Sequence, residues 1–316
     1  MANKTQKTRT LNDKLLNRFK TGDLNELVEV LSKHPQFMLN FRGDYATIYY
    51  KGLRLLEIKK SGKFSITKKY LDHVVNDAEY SKYMGIYNNY NSSKQKNADK
   101  FEWFGFLSFI ARGIDEWRSQ HKKQPEKEIQ QRIVLENNKF GDSQATDYFI
   151  VDTEYTEPGA KDGGRFDAIA LHWSRDMRKS RDYKPALAFI EVKCNQGAIG
   201  GTSGVQKHLQ DVVKYKITDK FYTDLENMIA NLRELKLISI PGKKRLEIDR
   251  KKKPQMIFAL ANYNPQSSVL YDNIKDIKEP ADIDVLFATS SFIGYGMYDE
   301  HMVKLEDFKK MIKPAK

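Results

Sequence analysis

The sequence contains a single cysteine, Cys194, among its 316 residues. One thiol excludes an internal disulfide, and no group of Cys and His residues has the spacing of a zinc site. Long apolar runs are also missing: no stretch of about 18 uncharged apolar residues occurs, and the first residues lack the apolar core of a secretory signal. We therefore expect a globular cytoplasmic protein with no membrane partner and no structural zinc.

Charge is unevenly distributed along the chain, whose formal net charge is +12. Residues 1–100 contain 19 Lys/Arg and 10 Asp/Glu, so the rest of the chain carries a net charge of only +3. A second basic cluster, residues 242–253, has seven Lys/Arg in 12 positions. Basic groups near a phosphate backbone release counterions, so both regions favour a nucleic-acid partner. Solvated lysines, in particular a solvated loop over residues 242–253, are the alternative.

The N-terminal third predicts a small α+β domain. Apolar residues between Leu11 and Leu31 have the spacing of two short helices, and Phe37–Thr67 has the texture of an antiparallel sheet with turns at its glycines. The polar stretch Asn88–Lys100 has no periodicity and is typical of a linker. We therefore predict an accessory domain over residues 1–95 and a second domain over residues 96–316.

The second domain is predicted to be α/β. An aromatic-rich helix over Phe101–Trp117 is followed by a helix beginning at Pro125, and a long helix over Gly204–Leu237 separates the third strand from the fourth. This order predicts a mixed sheet flanked by helices. The predicted buried side of the first helix comprises Trp103, Phe104, Leu107, Ile110, Ala111 and Ile114. The predicted strands are Tyr148–Tyr155, Arg165–Trp173, Ala186–Cys194, Met256–Tyr263 and Asp284–Ile293.

Two of these strands contain charged residues at otherwise apolar positions. Side chains alternate along a strand, so Glu191 and Lys193 point to the same side of Ala186–Cys194. Asp167 interrupts an apolar run in the preceding strand, where a charge is costly unless it is paired or bound to a metal. We expect the carboxylates of Asp167 and Glu191 to lie within about 5 Å of a common point, as ligands of one ion require.

An oxygen-rich pocket of this kind suits Mg²⁺ better than zinc or copper. Two carboxylates and a lysine can support phosphodiester hydrolysis, in which a bound ion activates water and the lysine stabilises developing charge. The alternative is an ordinary Glu–Lys ion pair with an aspartate in a turn. Placement on two consecutive apolar strands followed by a helix favours the metal site.

The segments Arg165-Phe166-Asp167 and Phe189-Ile190-Glu191-Val192-Lys193 together resemble the core motif of the PD-(D/E)XK nuclease superfamily, over about residues 125–295. The resemblance implies a restriction-endonuclease-like core. It further implies that Asp167, Glu191 and the backbone carbonyl of Val192 bind Mg²⁺, with Mn²⁺ as an alternative, and that Lys193 is the catalytic lysine. Phe166 stands where the motif has proline, and a basic insertion at residues 174–184 obscures the subfamily.

Further site residues are suggested by the same resemblance. Gln206, on the helix after the third strand, matches a glutamine that relatives place beside the metal; an ordinary surface amide is the alternative. His208 on that helix is expected to be structural or to face a phosphate, with a role as general base as the alternative. Glu126, Glu136 and Glu154 are candidates for an additional acidic residue, with solvent exposure as the alternative for the two on the helix.

The resulting hypothesis is a Mg²⁺-dependent DNA endonuclease of the restriction or phage-defence type, with the basic N-terminal domain holding the substrate. The alternative is a catalytically decayed nuclease fold that serves as a nucleic-acid-binding or protein-docking module. Decay usually removes a ligand or the lysine, and all three residues are present. The sequence leaves open an RNA substrate and a homo-oligomer.

Overall fold

The structure is a computed structural model that describes residues 9–92, 98–121, 125–138, 146–156, 164–178, 180, 182–194, 198–238, 245–261, 267–290, 297 and 299–312. The chain forms two compact units. The N-terminal unit comprises Met1–Gln131 and Asn227–Ser239, and the C-terminal unit comprises Arg132–Glu226 and Ile240–Lys316.

Two helices of the N-terminal unit begin at side chains that accept hydrogen bonds from free N–H groups of the first turn. Asn12 Oδ1 accepts a hydrogen bond from the N–H of Lys14 at 3.0 Å. Asp99 and Glu102 form a reciprocal capping box at the start of the longest helix. The two short helices predicted between Leu11 and Leu31 are confirmed. The helices are α1 (Asp13–Lys20), α2 (Asn25–Lys33), α3 (Lys68–Leu71), α4 (Tyr80–Asn91) and α5 (Lys100–Gln120).

The predicted small sheet is also confirmed. Its strands are β1 (Phe37–Phe41), β2 (Tyr45–Tyr50), β3 (Leu53–Lys59) and β4 (Phe64–Ser65). They pair antiparallel in the order β1-β2-β3-β4. Short connections suffice for such a meander, because consecutive antiparallel strands need only a tight turn between them.

Helix α5 supplies much of the apolar core of the N-terminal unit. Trp103 is fully buried, with ring centroids 5.0 Å from Tyr90 and 5.8 Å from Phe64. The prediction for Phe104 was wrong: its side chain is 38% exposed and stacks on His34. Since α5 packs against α2, α3, α4 and β3, it belongs to this unit. The predicted domain boundary at residues 95–96 lies before α5, whereas the first unit continues to Gln131.

The turn between β2 and β3 depends on Gly52, whose φ is +71°. An added Cβ would overlap the carbonyl oxygen of Lys127. A left-handed conformation alone costs a non-glycine residue roughly 1–2 kcal/mol. We therefore expect Gly52→Ala to lower the free energy of unfolding by at least about 2 kcal/mol, measured by urea denaturation.

The matched control is Gly85→Ala, because Gly85 lies inside α4 with no heavy atom within 4 Å of the added Cβ. Alanine there should stabilise the protein by about 0.5–1 kcal/mol, since glycine is the poorer helix former. Equal urea midpoints for the two variants would contradict the assigned turn.

The C-terminal unit is built on a six-stranded mixed sheet with the order β10-β9-β8-β7-β6-β5. β5, β6 and β7 pair antiparallel, β7, β8 and β9 pair parallel, and β10 pairs antiparallel with β9. The predicted α/β class with a mixed sheet is confirmed. The strands are β5 (Tyr148–Thr156), β6 (Arg165–His172), β7 (Ala186–Cys194), β8 (Gln255–Ala261), β9 (Asp284–Ser290) and β10 (Met302–Lys304).

Every residue of β7 is buried, as expected for a central strand covered on both faces. The remaining helices are α6 (Pro125–Asn137), α7 (Val205–Lys214), α8 (Asp219–Glu234), α9 (Ser268–Ile274) and α10 (Leu305–Met311), of which α6 and α8 contain residues of both units. None of the helices in the described ranges is long and apolar enough to cross a membrane.

The long helix predicted over Gly204–Leu237 is wrong, because the chain forms two helices there. α7 ends at Lys214, and Tyr215 adopts an extended conformation. Thr218 Oγ1 then accepts a hydrogen bond from the N–H of Phe221 at 3.2 Å, which stabilises the start of α8. The break allows the chain to change direction between β7 and β8.

A polar network occupies the end of the mixed sheet where β7 and β8 begin. The Tyr148 hydroxyl donates to Gln255 Oε1 at 2.9 Å, and His172 contacts Gln255 on one side and Asp299 on the other. Burial raises the pKa of the Tyr148 hydroxyl, and the nearby carboxylates Asp299 and Asp147 raise it further. Tyr148 therefore remains a hydrogen-bond donor, and the network joins four segments of the C-terminal unit.

Candidate active site

The register between β6 and β7 places the two predicted carboxylates next to each other. Ala168 pairs with Ile190, so Asp167 and Glu191 occupy the next positions on their strands. One carboxylate oxygen of each lies within 4.8 Å of the other. Glu191 is only 4% exposed and Asp167 is half-buried. The predicted proximity of these side chains is therefore observed.

Asp167 is held by the backbone of β7. Its Oδ2 accepts a hydrogen bond from the N–H of Val192 at 2.8 Å. This bond connects the side chain to the strand that contains Glu191, and it limits the rotation of the Asp167 carboxylate. Val192 itself is fully buried. Its predicted role, donation of a carbonyl oxygen to an ion, stays a prediction from the sequence.

Lys193 lies on the same side of β7 as Glu191. Its Nζ donates to Glu191 Oε1 at 2.8 Å and to the carbonyl oxygen of Ser203 at 2.7 Å. Both charged side chains are at least 95% buried. Removing two charges from water is costly, and their mutual attraction and further hydrogen bonds offset that cost. A buried lysine beside a carboxylate is thus held in place by β7 and by the turn before α7.

Helix α7 contributes His208 to this cluster. The His208 Nε2 lies 2.9 Å from Glu191 Oε1, the oxygen that also accepts from Lys193. Gln206, the residue predicted for this helix, is exposed, and its Nε2 lies 3.4 Å from the carbonyl oxygen of Asn273. Of these two α7 residues, the structure therefore brings His208 into contact with Glu191.

A signal for His208 was present in the sequence. The buried residues Val205 and Val212 lie three positions before and four positions after it, which is the spacing of one helix face. The prediction of a structural or phosphate-facing residue did not include a contact with Glu191. Such a contact depends on where α7 crosses the sheet, and the periodicity of one helix does not determine that crossing.

Of the three candidates for an additional acidic residue, Glu154 lies on β5, and Glu126 and Glu136 lie on α6. Thr153 pairs with Ala168 and Tyr155 pairs with Phe166. Glu154 on β5 therefore lies opposite Asp167 on β6. The φ of Glu154 is +51°, outside the range of a regular strand, so its side chain does not follow the regular alternation of sides along β5. Glu136 lies in the last turn of α6 and is half-buried. Glu126 lies in the first turn of α6, in the N-terminal unit. The role of each stays a prediction.

The second basic cluster lies away from the carboxylates. Residues 242–244 are outside the described ranges. The remaining residues of the cluster come before Gln255 in the chain, and Gln255 pairs with Ala188 near the start of β7. Glu191 and Lys193 lie toward the end of β7. Arg250 contacts the buried Glu226 at 3.1 Å, and Lys253 contacts Asp284 at 3.2 Å. Part of this positive charge is therefore neutralised within the protein.

The cluster combines two carboxylates, one lysine and one histidine. It lies at β7, the strand that pairs antiparallel with β6 and parallel with β8. Carboxylate oxygens at this separation can hold a metal ion, and the lysine can stabilise negative charge nearby. No protein-family model matches this sequence, and comparison with curated proteins and with solved structures gave no match.

Proposed function

We propose that the protein is a metal-dependent nuclease that hydrolyses phosphodiester bonds in DNA. The observation that carries the proposal is the close approach of Asp167 and Glu191, with Lys193 hydrogen-bonded to Glu191. A restriction-endonuclease-like core is part of the proposal. The antiparallel β5-β6-β7 segment, followed by α7 and the parallel strand β8, supports it.

The donor set fits a hard divalent cation. Two oxygens bound to one Mg²⁺ at about 2.1 Å lie at most about 4.2 Å apart. The upper limit of 4.8 Å between the Asp167 and Glu191 oxygens therefore requires only a small side-chain movement. Mg²⁺, or Mn²⁺ in its place, would supply Lewis-acid polarisation of the phosphate and a water molecule of lowered pKa.

The protein's own residues position the reaction. Asp167 is oriented by the Val192 N–H, and Glu191 is oriented by Lys193 and His208. Two of the three hydrogens of the Lys193 ammonium go to Glu191 and Ser203, which leaves one for a phosphate oxygen or the attacking water. Fixed donors of this kind stabilise the charge that develops in the transition state.

Assays of purified protein with supercoiled plasmid and with structured RNA, each with Mg²⁺, with Mn²⁺ or with EDTA, test this function. We expect nicking or linearisation of plasmid that requires the cation and is absent in EDTA. If RNA is cleaved and DNA is not, the substrate is RNA. If both substrates stay intact under every condition, the proposal is rejected. The restriction or phage-defence role and a cytoplasmic location are parts of the same proposal.

The basic N-terminal unit is proposed to hold the substrate through its phosphates. Lys63, Lys68 and Lys82 are exposed on this unit. Changing all three to glutamine should weaken DNA binding. The slope of log affinity against log salt should fall by about 0.9 for each lysine that contacts a phosphate. Fluorescence anisotropy at several salt concentrations measures both quantities.

The matched control removes the same number of positive charges from the C-terminal unit. Lys278, Lys304 and Lys310 are exposed in the C-terminal unit, and their triple glutamine variant should retain most of the salt slope. Equal losses in the two variants would indicate a general effect of net charge, and the N-terminal unit would then have no special role in substrate binding.

A non-catalytic nucleic-acid-binding or protein-docking module is the second candidate function. It is favoured by the hydrogen bonds that Lys193 and Glu191 already make with each other, His208 and Ser203, because a structural ion pair would be arranged in the same way. Binding of Mn²⁺ in the absence of nucleic acid separates the two functions, since only the nuclease requires a cation site.

A further inference from the structure

His208 is the point at which helix α7 contacts the proposed metal ligands. Its Nε2 lies 2.9 Å from Glu191 Oε1, and the histidine side chain is 20% exposed. The helix is anchored near its start as well, because the carbonyl oxygen of Ser203, two residues before α7, accepts a hydrogen bond from Lys193. His208 therefore approaches Glu191 from an element that is connected to β7 at two places.

We propose that His208 is a positioning residue that fixes the Glu191 carboxylate for binding a divalent cation. This inference rests on the proposed function. Hydrogen bonds from outer-shell residues set the orientation of a ligating carboxylate, and their loss commonly reduces metal affinity or activity about 10–100-fold. His208 acts through Glu191 and not on the substrate.

A single donor would leave Glu191 less constrained. Lys193 is on the same strand, two residues away, and its flexible four-carbon chain is shared between Glu191 and Ser203. The His208 imidazole is rigid and reaches the same oxygen from a different element. Two donors from separate directions restrict the rotation of the carboxylate, so that its geometry is set before a cation binds.

The inference is tested by measuring Mn²⁺ binding to the full-length protein without nucleic acid, by calorimetry and by the Mn²⁺-induced rise in melting temperature. We expect His208→Ala to raise the Kd for Mn²⁺ about 10–100-fold. His208→Gln places an amide N–H near the position of Nε2 and should restore the Kd to within a few-fold of wild type. Lys207→Ala, on the exposed side of α7, is the matched control and should not change the Kd.

In the cleavage assay, His208→Ala should increase the Mg²⁺ concentration for half-maximal rate more than it lowers the rate at saturating Mg²⁺. A merely structural role would instead lower the metal-free melting temperature and leave the Kd of the folded protein unchanged.

Wild-type Mn²⁺ affinity in folded His208→Ala, together with loss of affinity in Asp167→Asn, would overturn the role of His208 while the nuclease proposal stands. Absence of Mn²⁺ and Mg²⁺ binding in the wild-type protein would overturn the proposed function and the inference with it. If His208→Ala does not fold, His208→Gln is compared with His208→Asn, whose shorter amide does not reach as far. Equal Mn²⁺ affinity of these two folded variants would reject the inference.

Discussion

Replacing Lys193 with alanine should reduce the rate of DNA cleavage about 10²–10³-fold, equivalent to roughly 3–4 kcal/mol of transition-state stabilisation. The reason is the position of its ammonium group, which is fixed beside Glu191 by two hydrogen bonds. DNA affinity should change little, because ground-state binding is distributed over many basic residues. Single-turnover cleavage and anisotropy on the same preparation measure the two effects.

The variant should also be less stable, because Glu191 loses an ion-pair partner in a buried site. Breaking a buried pair costs about 3–5 kcal/mol. Cleavage must therefore be measured at a temperature where circular dichroism shows the variant to be folded. Lys310→Ala, which removes an exposed lysine paired with Asp307, is the control and should cut at the wild-type rate. Wild-type cleavage by folded Lys193→Ala would make Lys193 purely structural.

Asp167→Asn should abolish detectable cleavage while leaving the metal-free fold almost unchanged. The asparagine carbonyl oxygen can still accept the hydrogen bond from the Val192 N–H, but the negative charge that attracts a cation is lost. Loss of an outer-shell group already weakens metal binding about 10–100-fold, and loss of a direct ligand should cost at least as much. Calorimetric titration with Mn²⁺ and plasmid cleavage measure the effect.

Glu191→Gln provides a contrast, because it should lose metal binding and stability together. The buried Lys193 would then face a neutral amide, and we expect a loss of about 3–5 kcal/mol in the free energy of unfolding. Asp307→Asn, on the exposed surface of α10, is the control for both substitutions. Retention of Mn²⁺ affinity and cleavage by Asp167→Asn would refute the metal site.

Much of the fold could be predicted because its strands have strong local signals. The predicted strand Ala186–Cys194 has the same bounds as β7 in the structure, because its nine residues are almost all apolar. β10 was missed because three residues give no periodicity. The break between α7 and α8 was missed because residues 215–218 contain neither glycine nor proline. Thr218 was the signal available there, since threonine is typical of helix starts and its hydroxyl accepts a hydrogen bond from the N–H of Phe221.

The candidate site was partly predictable for a related reason. Alternation along β7 places Glu191 and Lys193 on one side, and the order of the strands places Asp167 beside them. The contact between His208 and Glu191 requires the crossing position of α7 over the sheet, which is set by tertiary packing. The hydrogen bond from Lys193 to the Ser203 carbonyl likewise depends on the path of the chain after β7.

The antiparallel pairing of β6 with β7 places the proposed metal site at one end of these strands and the polar network around His172 at the other. His172 pairs with Ala186 at one end, and Asp167 and Glu191 lie about five residues further along, or roughly 17 Å at the rise of an extended strand. The basic insertion at residues 174–184 joins these strands at the His172 end, far from the carboxylates. Substitutions at the exposed positions Asp176, Asp182 and Lys184 of that insertion should therefore alter surface charge without changing the geometry of the proposed metal site. The two ends of the sheet can vary independently at such positions.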